Sequence, residues 1–167
     1  MKLASNSSSP SQDRATAVPA PASPRNWGLQ ISTKTLQIAT NGNNDVQNIT
    51  EQVHSLLKQV GLSNGIVTLF VQGSTAGLTT LEFEAGVIAD LEMMFERVAS
   101  ADLPYQHEAR WHDGNGHSHV RAALLGPSLV VPFTERQLTL GTWQQIVLVD
   151  FDTRPRRREI IVQFMGG

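Results

Sequence analysis

A chain of 167 residues with 13 basic and 15 acidic side chains, a formal net charge of -2 and 40% apolar content is sized for one domain. Its charge balance favours neither nucleic acid nor an anionic membrane as partner. It contains no cysteine, which excludes disulfides, thiolate metal ligands and a thiol nucleophile, so any metal would rest on His, Asp, Glu or backbone oxygen. No apolar run approaches the roughly 20 residues of a membrane-spanning helix, and Leu3-Ala4 is too short to form the apolar core of a secretory signal, so a soluble, cytoplasmic chain is expected.

Residues 1–26 are rich in Ser, Pro and Ala without apolar periodicity and are expected to form a disordered tail, leaving 27–167 as a single domain. From Leu29 to Ile38, apolar and polar residues alternate as in a strand with one wet face. Asp45 then stands where an N-cap belongs, ahead of Val46, Ile49, Val53, Leu56, Leu57 and Val60 at helical spacing, with Gly61 as the stop. His54 falls at the edge of that buried stripe.

Ile66–Val71 is an apolar run of strand length, Gly73–Gly77 reads as a turn and Leu78–Phe83 as a second strand, which together predict a hairpin. Glu82 and Glu84 would share one face of that second strand, either as a cation or acid–base pair or as an exposed surface. A second amphipathic helix carries Val87, Leu91, Met94, Phe95 and Val98. Val120–Leu125 predicts a short helix stopped by Gly126-Pro127, with Ser118 as its cap, and Ser128–Phe133, Leu138–Leu140, Gln145–Phe151 and Glu159–Phe164 predict four further strands. Two main helices among short antiparallel strands point to an α+β fold with two-layered, sandwich-like sheets.

Chemistry is concentrated between Tyr105 and Arg121, which hold four of the five histidines together with acids and glycines. Histidine titrates near neutral pH and ligates metals as the neutral imidazole, so His107, His112, His117 and His119 define either a proton-transfer site or a cation site, unless they are ordinary loop histidines. Asp113-Gly114-Asn115-Gly116 is a turn able to fold back, and its glycines let backbone amides approach an anion or a carboxylate. Gly73, Ser74 and Thr75 offer amide and hydroxyl donors to a phosphate, although no P-loop ending follows and a tight turn explains them equally. Arg154–Arg158 attracts phosphate but is bounded by Asp150, Asp152 and Glu159, which favours a solvated hairpin with local ion pairs. Trp143 and Gln144 either line a pocket or pack in the core.

The string Gly116-His-Ser-His-Val-Arg-Ala-Ala-Leu-Leu-Gly-Pro-Ser128, with Leu138-Thr-Leu-Gly-Thr-Trp-Gln-Gln145 and Arg156-Arg157-Arg158, resembles the YjbQ family, also described as secondary thiamine-phosphate synthases. The resemblance runs from about Leu29 to Gly166. It implies a homotrimer with a histidine-rich pocket near a subunit boundary, a divalent metal (zinc or magnesium), and the joining of a hydroxymethylpyrimidine pyrophosphate to a thiazole phosphate. On that reading His107 and His119 are ligands or acid–base groups, Arg121, Glu84 and the Gly73–Thr75 amides assist catalysis or binding, and Trp143 and Gln144 line the cofactor side. Gly73 departs from the family, many of whose members carry a histidine there; His112 or His117 would have to replace it. Two other functions fit the same histidines: metal-dependent phosphoester hydrolysis, and non-catalytic metal or metabolite binding.

Overall fold

The computed structural model describes residues 28–167. The expected tail, residues 1–26, lies outside the described residues.

Among the described residues, eight strands and four helices follow in the order β1 (Gln30–Thr40), β2 (Asp45–Asn48), α1 (Thr50–Val60), β3 (Gly65–Gln72), β4 (Ala76–Leu81), α2 (Ala85–Val98), α3 (Glu108–Trp111), α4 (Gly116–Leu125), β5 (Ser128–Thr134), β6 (Gln137–Leu138), β7 (Gln145–Asp150) and β8 (Arg156–Gly166). They build two antiparallel sheets, one in the order β1-β8-β3-β5-β6 and the other β2-β7-β4. This is the expected α+β class with two sheet layers.

Strand β7 shows how the layers meet. Successive strand residues point to opposite faces, and both faces of β7 are covered. Ile146 and Leu148 join Leu69, Val71, Ile160, Val162 and the α1 residues Val53 and Leu57 in one core between the sheets. Val147 and Val149 point the other way, into a smaller core with Phe95 of α2, Ala122 of α4 and Phe151. The helices α2 and α4 therefore form a third layer on the outer face of the small sheet.

Three local expectations are corrected. Asp45 does not cap α1, because Asp45–Asn48 pairs with β7 as an edge strand and the Asp45 carboxylate accepts from the Asn41 amide (2.7 Å) and Gln47 Nε2 (2.8 Å). The helix starts at Thr50, whose amide is taken by Asn48 Oδ1 at 3.0 Å, and ends as expected at Gly61, left-handed with φ 78°. Tertiary pairing has overridden the helical spacing of Val46 and Ile49. Nor do β3 and β4 form a hairpin: β3 pairs with β8 and β5 while β4 pairs with β7, so Gly73–Thr75 carries the chain from one sheet to the other. Finally, β4 ends at Leu81, and Glu84 stands outside any strand as the N-cap of α2, accepting from the Gly86 and Val87 amides.

Candidate functional site

The sheet-crossing segment Gly73–Thr75, the start of β8, the loop before α4 and the first turn of α4 converge on a polar cavity of about 410 Å³. Its walls include Gly73, Ser74, Thr75, Asp113, Asn115, His119, Asp152 and Arg156 to Arg158.

The floor is set by strand alternation. Inward positions of β8 carry Arg158, Ile160, Val162 and Phe164, so Arg158 enters the interior in register with core residues while Arg157 stays exposed. Arg158 is 7% exposed, and a buried guanidinium needs a full set of acceptors. Its Nε and Nη2 each lie 2.6 Å from the Asp150 carboxylate, and Nη2 also donates to Thr75 Oγ1 at 2.7 Å. Asp150, fully buried, receives in addition the Thr40 hydroxyl at 2.5 Å and the Asp152 amide at 3.0 Å. Asp152 takes the Thr75 hydroxyl and Arg156 Nε, both at 2.8 Å. Burial raises the Asp152 pKa, but the hydrogen bonds from Arg156 and Thr75 and the charges of Arg156 and Arg158 outweigh it, leaving the carboxyl below its ordinary value. The expected solvated arginine hairpin is thus corrected. The ion pairs are there, but Arg158 and its acids form a buried network.

Gly73 belongs to that floor. Its φ is 144°, and a Cβ at this position would stand 2.9 Å from Arg158 Nη1. A glycine at this position therefore leaves room for the guanidinium beneath the cavity.

The wall is built by a folded-back loop. Glu108 accepts from the Gly114 amide at 2.6 Å and the Gly116 amide at 2.8 Å, which lowers its pKa through the Gly116 bond first, against some desolvation. The glycines do admit a carboxylate, and it is the chain's own. Helix α4 begins at Gly116 rather than after Ser118. Ser118 is no cap; it is buried and donates to the Phe151 carbonyl at 2.5 Å, pinning the helix to the end of β7. One turn then orients the histidines. His119 lines the cavity, with its ring centroid 4.5 Å from that of His107, and His107 Nε2 lies 3.4 Å from Asp113 Oδ1.

His117 turns away. It is 8% exposed, packs near Tyr105 with ring centroids 6.4 Å apart, and has its pKa lowered by burial first and by the Arg121 charge second. His112 is the left-handed C-cap of α3, φ 52°, on the exposed side of the loop. The four histidines thus divide into one pair at the cavity, one buried packing residue and one surface cap. Among the described residues no three His, Asp or Glu side chains lie close enough to one another to hold a metal ion.

Arg121 is not brought to the cavity. At 2% exposure it donates from Nε to the Ala99 carbonyl (2.9 Å), from Nη1 to Asn44 Oδ1 (2.8 Å) and from Nη2 to Glu96, whose pKa falls mainly through that bond. It ties α2, α4 and the β1–β2 loop together. Glu84 is spent on its helix cap. Trp143 is 69% exposed in the β6–β7 connection, where Gln144 donates to Thr80 Oγ1 at 2.9 Å, so neither lines the cavity. Sequence reasoning missed Asp150, Asp152, Asn115 and the inward arginines as parts of the site; the alternation of β8 carried the one usable signal, placing Arg156 and Arg158 on the core side.

The relatives agree with this architecture. The family model described as UPF0047 protein YjbQ-like matches residues 34–167. A UPF0047 protein of Methanothermobacter thermautotrophicus is 36% identical over 138 residues, 83% of this chain and 94% of that one. The UPF0047 protein YugU of Bacillus subtilis is 33% identical over 80% of this chain and 98% of its own. The crystal structure of a YbjQ-like protein of unknown function from Sulfolobus solfataricus superimposes with a TM-score of 0.79 at 30% identity, covering 83% of this chain and 99% of the other. By fold, by length and by sequence, the chain belongs to the YjbQ/UPF0047 family.

Proposed function

We propose that this chain acts on a phosphorylated small molecule, and that its reaction joins a hydroxymethylpyrimidine pyrophosphate to a thiazole phosphate with release of pyrophosphate. The observation that carries this reading is the cavity in which Arg156, Arg157 and Arg158 meet the Gly73–Thr75 crossing and His119. Guanidinium groups and backbone amides around a polar hollow suit phosphate oxygens.

In that reaction the thiazole nitrogen attacks the methylene carbon of the pyrimidine. The C–N bond forms as the C–O bond breaks, and pyrophosphate departs with the electron pair. The nitrogen becomes quaternary and no proton need leave it, so the work of the site is to stabilise charge on the departing oxygen. Arg156 and Arg157 would do so at the cavity wall, with Asp150 below already matched to Arg158 and Asp152 held by Arg156 through Nε. His119, backed by His107 and Asp113, would donate to the leaving group. The family resemblance brings a divalent metal with it, but the donor set of this chain does not match a three-ligand centre, and no step is assigned to one.

The same reading includes a homotrimer. Val120 and Leu124 are 40% and 58% exposed on the helix that carries His119, an apolar edge that a neighbouring subunit would cover. No helix among the described residues is long and apolar enough to cross a membrane. Incubating the purified protein with both precursors tests the proposal: thiamine phosphate and pyrophosphate should appear in equal amounts. If neither precursor is consumed, and inorganic pyrophosphate gives no heat in a calorimetric titration, the cavity is not a phosphate site and the proposal fails.

A further inference from the structure

Four buried side-chain atoms among the described residues lack a hydrogen-bond partner: His54 Nε2, His107 Nε2, Asn115 Oδ1 and Asp152 Oδ1. Buried polar atoms are almost always paired, so each exception asks for a reason. Three of these four cluster around Asp113. His107 Nε2 approaches Asp113 Oδ1 only to 3.4 Å, the Asn115 amide donates to the same oxygen at 3.2 Å, and Asp113, Asn115 and Asp152 line one small cavity of about 170 Å³. Asn115 is 6% exposed and Asp152 1%.

The two unpaired oxygens on this cavity are acceptors, so what completes them is a donor or a cation. The remaining lining residues are Thr153, Arg154 and Arg156, which makes two carboxylates against two guanidinium groups. A divalent cation would add charge to a balanced set, and no three-donor cluster is present among the described residues to hold it. A neutral N–H group adds none. The small cavity shares Asp113, Asn115, Asp152 and Arg156 with the larger arginine-lined cavity, so the two adjoin.

We infer that Asn115 and Asp152 form a specificity subsite for a neutral N–H donor, the amino or amide edge of a heterocycle whose phosphate tail occupies the adjoining arginine-lined cavity. This deepens the proposed function and rests on it. Asn115 and Asp152 read the ligand rather than take part in bond making. A site of this kind discriminates because an analogue without the donor leaves both oxygens buried and unpaired.

Calorimetric titration with three probes separates the claims: inorganic pyrophosphate, an aminopyrimidine-methyl pyrophosphate, and the same compound with hydrogen in place of its amino group. The amino compound should bind about tenfold more tightly than its des-amino analogue. In Asn115→Leu that ratio should fall to about one. Should Asn115→Leu fail to fold, Asn115→Asp, which keeps an acceptor in place, must retain the preference, and a ratio near one in that variant overturns the assignment. Binding of pyrophosphate with equal affinities for the two pyrimidines removes the subsite while sparing the phosphate cavity. No heat from any probe removes both. Magnesium or zinc alone binding to the parent, and not to Asn115→Leu, would make this a cation site and overturn the N–H reading.

Discussion

The floor and the wall of the cavity are made of the same kinds of charged residue and solve opposite problems. On the floor, Arg158, Asp150, Thr75 and Thr40 are buried and bonded to one another, so the charges are fixed before any ligand arrives. On the wall, His119 is half-buried beside His107, and Asp113 is exposed, so these groups stand open to a ligand and to solvent. A preorganised base and an adaptable rim are what a site needs if it is to hold an anion while charge moves on it. The difference predicts that floor mutations act on folding and wall mutations on chemistry.

The largest effect belongs to the floor. Replacing Asp150 with Ala would strand the Arg158 guanidinium in the interior and should cost about 3–5 kcal/mol of stability, because an unpaired buried charge is far worse than a missing pair. Denaturant unfolding checks it. A loss under 1 kcal/mol would mean that Arg158 reaches water and that the floor is not rigid.

The wall should respond in activity instead. His119→Ala should lower the rate of the proposed reaction by about 10² or more while moving the unfolding midpoint little, as expected for a positioned acid or donor. His107→Ala should fall between that and the parent, and His112→Ala should match the parent, since His112 only closes α3. Single-turnover assays of the three variants would rank them. Equal losses for His112 and His119 would erase the distinction between cavity and surface histidines.

How much of this contrast was visible in the chain itself depends on the range of the interactions. The β1 and β8 strands, helix α2 and the Gly61 stop follow from local periodicity and came through with small shifts of boundary. The His107–His119 pairing was legible only as a cluster in sequence, because spacing could not say that one turn of α4 would bring His119 to the cavity and turn His117 inward. Arg121 looked like a catalytic cation beside histidines, yet its three acceptors lie on Ala99, Asn44 and Glu96. Asp150 and Arg158 are eight residues apart and pair across the β7–β8 turn, a contact that strand alternation permits but does not announce. Gly73 could be read as a turn residue, and only the position of Arg158 Nη1 shows what its missing side chain leaves room for.

That glycine supplies an intermediate effect that touches both regions. Gly73→Ala forces a side chain into a φ that glycine alone adopts easily and presses it toward Arg158, so it should cost about 1–3 kcal/mol. Gly73→His should be worse in this chain unless Arg158 is shortened at the same time. Unfolding of the double variant Gly73→His with Arg158→Lys against the two singles would show whether the costs are coupled. Simple additivity would mean that the residue at position 73 and the floor arginine do not share space.

The smallest effect is a dependence of stability on pH, and it sharpens the same divide from a residue that belongs to neither region. His117 is held neutral by burial, with the Arg121 charge adding to the downward shift, so the folded protein binds its proton less readily than the unfolded chain does. Stability is then full above the ordinary imidazole value of about 6.5 and declines as pH falls from there toward the depressed folded value. Asp152 acts in the same direction but further down, since its folded pKa is also lowered and its contribution goes only as the pH drops through the carboxylate range. Two windows are therefore expected in a series of thermal unfolding midpoints. His117→Gln should flatten the upper one and leave the lower. If the upper decline survives that substitution, the burial of His117 is not what makes stability depend on pH in that range.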